Sequence, residues 1–179
     1  MSIELDIIRL YDQNLRGVYT IRGIAKKLGH AYPYVHRTIQ KLLALGALRA
    51  ATVGGSRCIS IDMRSRRAVL YLTELELEKR VKLSETTKAL VNALDSDGTL
   101  RIETAVATED KVYIVGDGQY PGAQTITREH FIELLLTTSL FSNHTVLHGY
   151  ERFFSILAAN QPALDDAYHP LTMRTGVRL

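Results

Sequence analysis

Tyr32, Tyr34, His36, Arg37, Gln40 and Lys41 fall within ten residues and interleave with Val35, Ile39, Leu42 and Leu43. Arg22, Lys26 and Lys27 precede this run, and Arg57 follows it behind Gly54-Gly55-Ser56. These are cations, hydroxyls, an imidazole and an amide, groups that donate hydrogen bonds to anions and polar edges. Their chemistry is that of binding, and no nucleophile with a base beside it accompanies them. Charge is concentrated in the same region. Residues 1–72 hold twelve Lys/Arg against four Asp/Glu, a balance of +8, whereas residues 73–179 hold ten against fifteen, a balance of −5. A basic half of this kind is suited to phosphate, because each phosphate it neutralises releases condensed counterions.

Other chemistry is poorly supported. His130, His144, His148 and His169 are joined by no cysteine cluster and no H-E-x-x-H pattern, so solvated or hydrogen-bonded histidines are expected and no metal ligand is assigned. His36 likewise has no partner at ligand spacing. Gly116, Gly118 and Gly122 lack the strand-to-helix G-x-G-x-x-G setting that cradles phosphate. The one cysteine, Cys58, has no disulfide partner within the chain and reads as a small buried hydrophobe. No catalytic residue and no cofactor is expected. No apolar run approaches the ~20 residues that cross a bilayer, and the acidic start Met-Ser-Ile-Glu-Leu-Asp is unlike a signal peptide, so a cytoplasmic protein without membrane contact is expected.

The elements that must position the basic groups follow from periodicity. Ile3 to Leu15 carries a helical stripe of Leu5, Ile8 and Tyr11. Val18 to Ile21 is extended, and Ile24, Ala25 and Leu28 share one face of a short helix that stops at Gly29. The next helix begins near Pro33, which has no N–H to satisfy in a first turn. Val35, Ile39, Leu42, Leu43 and Leu45 form its buried stripe. Gly46 is placed where a helix end takes a left-handed residue, and two strands follow, Ala47 to Val53 and Cys58 to Ile61, with Gly54 to Arg57 as the hairpin tip.

The pattern I-x-x-I-A-x-x-L-G from Ile21, continued as P-Y-V-x-R-x-I-x-K-L-x-x-L-G-A-L to Leu48, resembles the winged helix-turn-helix family. The resemblance covers roughly the first 70 residues and implies a DNA-binding domain. It implies that the start of the second helix of the motif enters the major groove, making Tyr32, Tyr34, His36, Arg37, Gln40 and Lys41 the candidate readers. Arg37 would pair with a guanine edge and Gln40 with adenine. Packing against the neighbouring helix is the alternative for Tyr32 and Tyr34. Arg22, Lys26 and Lys27 would hold the backbone, and Arg57 would enter or flank the minor groove, a solvated arginine being its alternative.

Thr73-Glu74-Leu75-Glu76 fits a capping box and opens a long helix to about Leu94 with Leu77, Val81, Leu90, Val91 and Leu94 apolar. Asp95-Ser96-Asp97-Gly98 reads as a turn and a domain seam. Two strand-like runs follow, Leu100 to Ala107 and Val112 to Val115, then a breaker-rich loop at 116–122. Thr127 caps a helix to about Thr138; a short strand at 145–147 and a last helix after Gly149 complete the region. T-R-E-x-F at 127–131 and V-L-x-G-Y-E at 146–151 are similar to the closing part of minimal nucleotidyltransferase domains, and Y-L-T-E-L-E-L-E at 71–78 resembles the helix joining a winged helix to that domain in archaeal relatives. The family's Gly-Ser pair and Asp-x-Asp magnesium ligands have no counterpart here: Asp110 stands alone, and Gly55-Ser56 belongs to the hairpin.

The expected architecture is α+β: a winged helix-turn-helix domain over 1–72, a linking helix over 73–97 with a possible dimerisation role, a small α/β domain over 98–160 that is nucleotidyltransferase-like without an active site, and an irregular tail over 161–179. The expected function is that of a homodimeric, sequence-specific regulator of transcription that binds double-stranded DNA. The alternative is a nucleotidyltransferase-related enzyme, or an antitoxin-like protein that uses the winged domain to find a partner. No small-molecule effector is assigned.

Overall fold

The computed structural model describes residues 2–53, 55–96, 102–137 and 144–163. The fold is α+β with two small sheets. Helix α1 (Ile3–Asp12) begins at Ser2, whose hydroxyl accepts from the Glu4 N–H, and buries Ile7, Ile8 and Tyr11. Strand β1 (Tyr19–Thr20) leads into α2 (Ile21–Leu28), and α3 (Tyr32–Ala44) follows after a three-residue turn. Strands β2 (Leu48–Val53) and β3 (Ser56–Ile61) then form an antiparallel hairpin, with β1 on the far side of β3. The Tyr11 hydroxyl donates to the Ile59 carbonyl at 3.0 Å, fixing α1 against this sheet.

The helix expected from Thr73 departs from the structure. Helix α4 (Arg66–Val81) starts seven residues earlier and α5 (Glu85–Ser96) is separate from it. Ala68, Leu72 and Leu75 recur at helical spacing and are buried, so burial extends the helix N-terminally and leaves Thr73 inside it. The Thr-x-x-Glu pattern is therefore no cap, and Glu76 turns inward, fully buried. The cap appears at Ser84 instead, whose Oγ accepts from the Thr87 N–H at 3.2 Å. Asp95 and Ser96 are helical rather than a turn; residues 97–98 lie outside the described residues, as does the expected tail beyond residue 163. Residues 161–163, placed in that tail, are helical.

The second sheet has the order β6-β5-β4-β7, built from β4 (Ile102–Ala107), β5 (Val112–Gly116), β6 (Gln124–Ile126) and β7 (Thr145–His148). All its pairings are antiparallel except β5 with β6. Strand β6 was not expected from the sequence; three residues are too few to show alternation. Helix α6 (Arg128–Thr137) is capped as expected, with the His130 N–H donating to Thr127 Oγ1 at 3.2 Å. Helix α7 (Tyr150–Ala159) starts at Gly149, where φ is 69° and an added Cβ would collide with the Glu103 carbonyl oxygen and lie 3.0 Å from Thr104 Cα. Only glycine fits there.

One hydrophobic cluster runs from Ile7 and Ile24 through Ile39, Leu72 and Leu75 to Phe131, Phe153 and Phe154. A second holds Val91 and Leu94 of α5 against Ala105, Ile114 and Leu147 of the second sheet. Polar ties cross between the two sheets' surroundings as well. Gln161 accepts from the Met63 N–H at 3.0 Å and donates to the Ile61 carbonyl at 3.3 Å, and Arg16 donates to the Leu135 carbonyl.

Where α1, α4 and β7 meet, Lys79 Nζ lies 2.8 Å from Asp12 Oδ2 and 2.7 Å from Glu76 Oε1, and donates to the His144 carbonyl at 2.9 Å. Burial, then the neighbouring Glu76 charge, pushes the Asp12 carboxyl up to about 6. Glu76 is buried too, but His144 and Lys79 outweigh that burial and hold it down to about 2. Among the described residues no helix is long and apolar enough to cross a membrane.

Candidate nucleic-acid interface

Helix α2 is set by Thr20, whose Oγ1 accepts from the Gly23 N–H at 3.0 Å, and is closed by Gly29 at φ 66°. Ile21, Ile24 and Ala25 face the core, so Arg22, Lys26 and Lys27 are turned outward. In α3, Val35, Thr38, Ile39 and Leu42 are buried, and Pro33 occupies the first turn. The face opposite that stripe begins with Tyr32 and Tyr34, 47% and 52% exposed. Packing against a neighbouring helix, the alternative weighed for both tyrosines, is therefore not their main environment.

A cleft of about 660 Å³ separates α2, the start of α3 and the start of β3. Arg22 and Lys26 line one wall, Tyr32 and His36 the second, and Ser56 and Arg57 the third. Tyr32 and His36 stack one turn apart, their ring centroids 5.7 Å from each other. On the other side of this pair a concavity of about 470 Å³ is formed by Tyr32, Pro33, His36, Arg37 and Gln40. The two rings thus make a ridge between a groove walled by cations and a shelf carrying Arg37 and Gln40. Among the described residues Arg22, Lys26, Arg37 and Arg57 pair with no carboxylate, so their full charge is presented to solvent.

Several expected members stand apart. Lys41 is tied to Glu4 of α1, Nζ to Oε1 2.6 Å, a pairing that holds the Glu4 carboxyl below its ordinary value and the Lys41 ammonium above its own. Lys27 lies over the Tyr19 ring, 5.4 Å from its centroid, away from the cleft. Tyr34 meets His30 edge-on at 6.3 Å. Arg57 is not on the hairpin tip: it lies within β3, paired in register with Thr52, because Val53 and Ser56 already oppose each other and Gly55 turns the chain at φ 80°. Its side chain leaves the strand toward the cleft wall.

Thr20 and Ser56 also line the cleft, and sequence reasoning did not single them out. Thr20 caps α2, and its place in the cleft near Arg57 depends on β1 pairing with β3, which sets Thr20 opposite Cys58.

Cations on three elements around an exposed aromatic ridge can engage a polyanion along its backbone, while Arg37 and Gln40 offer a bidentate donor and an amide to planar polar edges. Among the described residues of the second sheet no pair of carboxylates is brought together for phosphoryl or nucleotidyl transfer. Asp110 lies exposed in the turn between β4 and β5, and among the described residues the one cluster of potential metal ligands is formed elsewhere, by Asp12, Glu76 and His144. Compared with protein-family profiles, with curated proteins and with solved structures, the chain matches none.

Proposed function

We propose that this protein is a sequence-specific regulator of transcription that binds double-stranded DNA through a winged helix-turn-helix formed by α1 to β3, without catalytic activity of its own. The observation that carries this reading is the convergence of Arg22, Lys26, Tyr32, His36 and Arg57 on one open cleft at the start of α3. With α3 in the major groove, Arg37 and Gln40 reach base edges, the α2 cations clamp one phosphate strand, and Arg57 meets the backbone beside the groove. The acidic balance of residues 73–179 keeps that half off the phosphates.

Dimerisation belongs to the same reading and is supported by α4. Leu70, Leu77 and Val81 are 55%, 48% and 77% exposed and recur at spacings of seven and four, which places them on one helical stripe. The α5 residues expected to extend this stripe, Val91 and Leu94, are buried against the second sheet, so the self-association surface is confined to α4. The region after α5 then spaces the two subunits.

The test is fluorescence anisotropy with duplex from the gene's own upstream region and with a scrambled duplex of equal length. Preference for the upstream duplex that is lost on Arg37→Ala supports the reading. Equal affinity for both duplexes, or none for either, refutes it.

A further inference from the structure

The cluster below α4 has a composition that an ion-pair network does not explain. Asp12, Glu76 and His144 are 1%, 0% and 1% exposed, and one ligand atom from each lies within 4.8 Å of the others. Lys79 bridges the two carboxylates with a single positive charge, and it makes no bond to the imidazole. His144 Nε2 approaches Glu76 Oε1 at 3.3 Å without the alignment of a hydrogen bond. His144 Nδ1 and Asp12 Oδ1 also have no hydrogen-bond partner among the described residues. Buried polar atoms left this way cost about 1–3 kcal/mol each; an imidazole that keeps one N–H has one nitrogen lone pair to give, and that lone pair together with Asp12 Oδ1 calls for a ligand that accepts lone pairs.

We propose that Asp12, Glu76 and His144 form a binding site for one divalent transition-metal ion of the zinc type, which enters by displacing the Lys79 ammonium. Zinc takes carboxylate oxygen and imidazole nitrogen at ~2.0–2.2 Å in a tetrahedron, so its ligand atoms stand ~3.4 Å apart, and the present spacing of up to 4.8 Å closes with roughly 1.5 Å of movement shared among the side chains. The nitrogen donor selects against magnesium and calcium, which prefer oxygen shells. Glu76 is already oriented by the Val146 N–H, which donates to its Oε2 at 2.6 Å and leaves Oε1 for the ion.

A route for both exchange partners exists. A cleft of about 400 Å³ lined by Arg9, Asp12, Gln13, Glu78, Lys79 and Lys82 opens beside Asp12, and the Lys79 side chain is 29% exposed at its mouth. Swinging the lysine outward moves its ammonium toward solvent and Glu78 while the ion takes the carboxylates. Because the three ligands come from α1, α4 and the residue preceding β7, the bound ion ties the cleft-bearing sheet's helices to the second sheet.

The experiment uses untagged, chelator-treated full-length protein titrated with Co²⁺, read by its visible absorption, and with Zn²⁺, read by calorimetry and thermal melting. One equivalent bound, a d–d band intensified by low-symmetry coordination and a raised Tm are expected. Asp12→Asn and His144→Gln should each abolish the band. Lys79→Met should tighten binding by roughly tenfold or more, since the carboxylates lose their resident cation. If Lys79→Met folds only when Zn²⁺ is added, that dependence supports the site equally. Failure of the wild-type protein to bind either ion, or binding that survives both Asp12→Asn and His144→Gln, overturns the proposal.

Discussion

On the proposed function, replacing Arg22, Lys26 and Arg57 together by alanine should separate backbone clamping from base reading. All three side chains are exposed and carry no ion pair among the described residues, so the substitutions leave the fold within about 0.5 kcal/mol per site. Each phosphate contact contributes about 0.9 to the slope of log K against log salt. On the proposed function three unpaired cations contact phosphate, predicting a slope near −2.7 per subunit and a loss of affinity of about 40-fold between 50 and 200 mM salt. The triple variant keeps none of these phosphate contacts, so its slope should fall toward zero and the same change of salt should cost little affinity. Fluorescence anisotropy titrations at four or five salt concentrations measure both slopes directly. Arg37→Ala provides the contrast, with preference between duplexes reduced by about 1–3 kcal/mol while the slope stays near −2.7. A triple variant whose slope equals that of the wild type would refute the assignment of these cations to phosphate.

Gly149→Ala should destabilise by more than about 2 kcal/mol, because it adds a collision with the Glu103 carbonyl to the penalty of a left-handed residue, whereas Gly29→Ala, with the same sign of φ and open space around it, should cost only about 1 kcal/mol; urea melts of the two compare them directly. Tyr11→Phe leaves the buried Ile59 carbonyl without its donor and should cost about 1–2 kcal/mol in the same assay. Asp95 is partly buried, which would raise its pKa, but His148 at 2.9 Å and Arg80 at 2.6 Å win and hold it below the ordinary value. A depressed folded-state pKa stabilises above the unfolded pKa of about 4 and is lost as pH falls through the folded value, so Asp95→Asn should remove a contribution of under about 1 kcal/mol at pH 7 and flatten the decline of stability below pH 4. Leu77→Asp should shift the protein toward monomer in sedimentation velocity and weaken binding to a two-half-site duplex; unchanged sedimentation would exclude α4 as the self-association surface.

Burial periodicity made α2, α3 and the β2–β3 hairpin legible before any coordinates. Ile24 and Ala25, then Val35, Ile39 and Leu42, each leave one interpretation of which side chains face out, and Gly29 and Gly46 mark where those helices stop. Local chemistry of this kind is written in neighbouring residues, so Arg22, Lys26, His36 and Arg37 could be placed on free faces from the chain alone. The same reasoning failed at α4, where Thr73 and Glu76 satisfied a local capping rule that the burial of Ala68 and Leu72 overrode. Which outward groups meet was a tertiary matter. Arg57 joins Arg22 and Lys26 across a cleft only because β1 pairs with β3, and Lys41 is withdrawn from them by Glu4, 37 positions away in the chain. The buried set of Asp12, Glu76 and His144 is the extreme case. Its members are separated by more than sixty residues each, no spacing rule connects them, and only the packing of α1, α4 and β7 against one core brings their oxygens and imidazole within reach of a single ion.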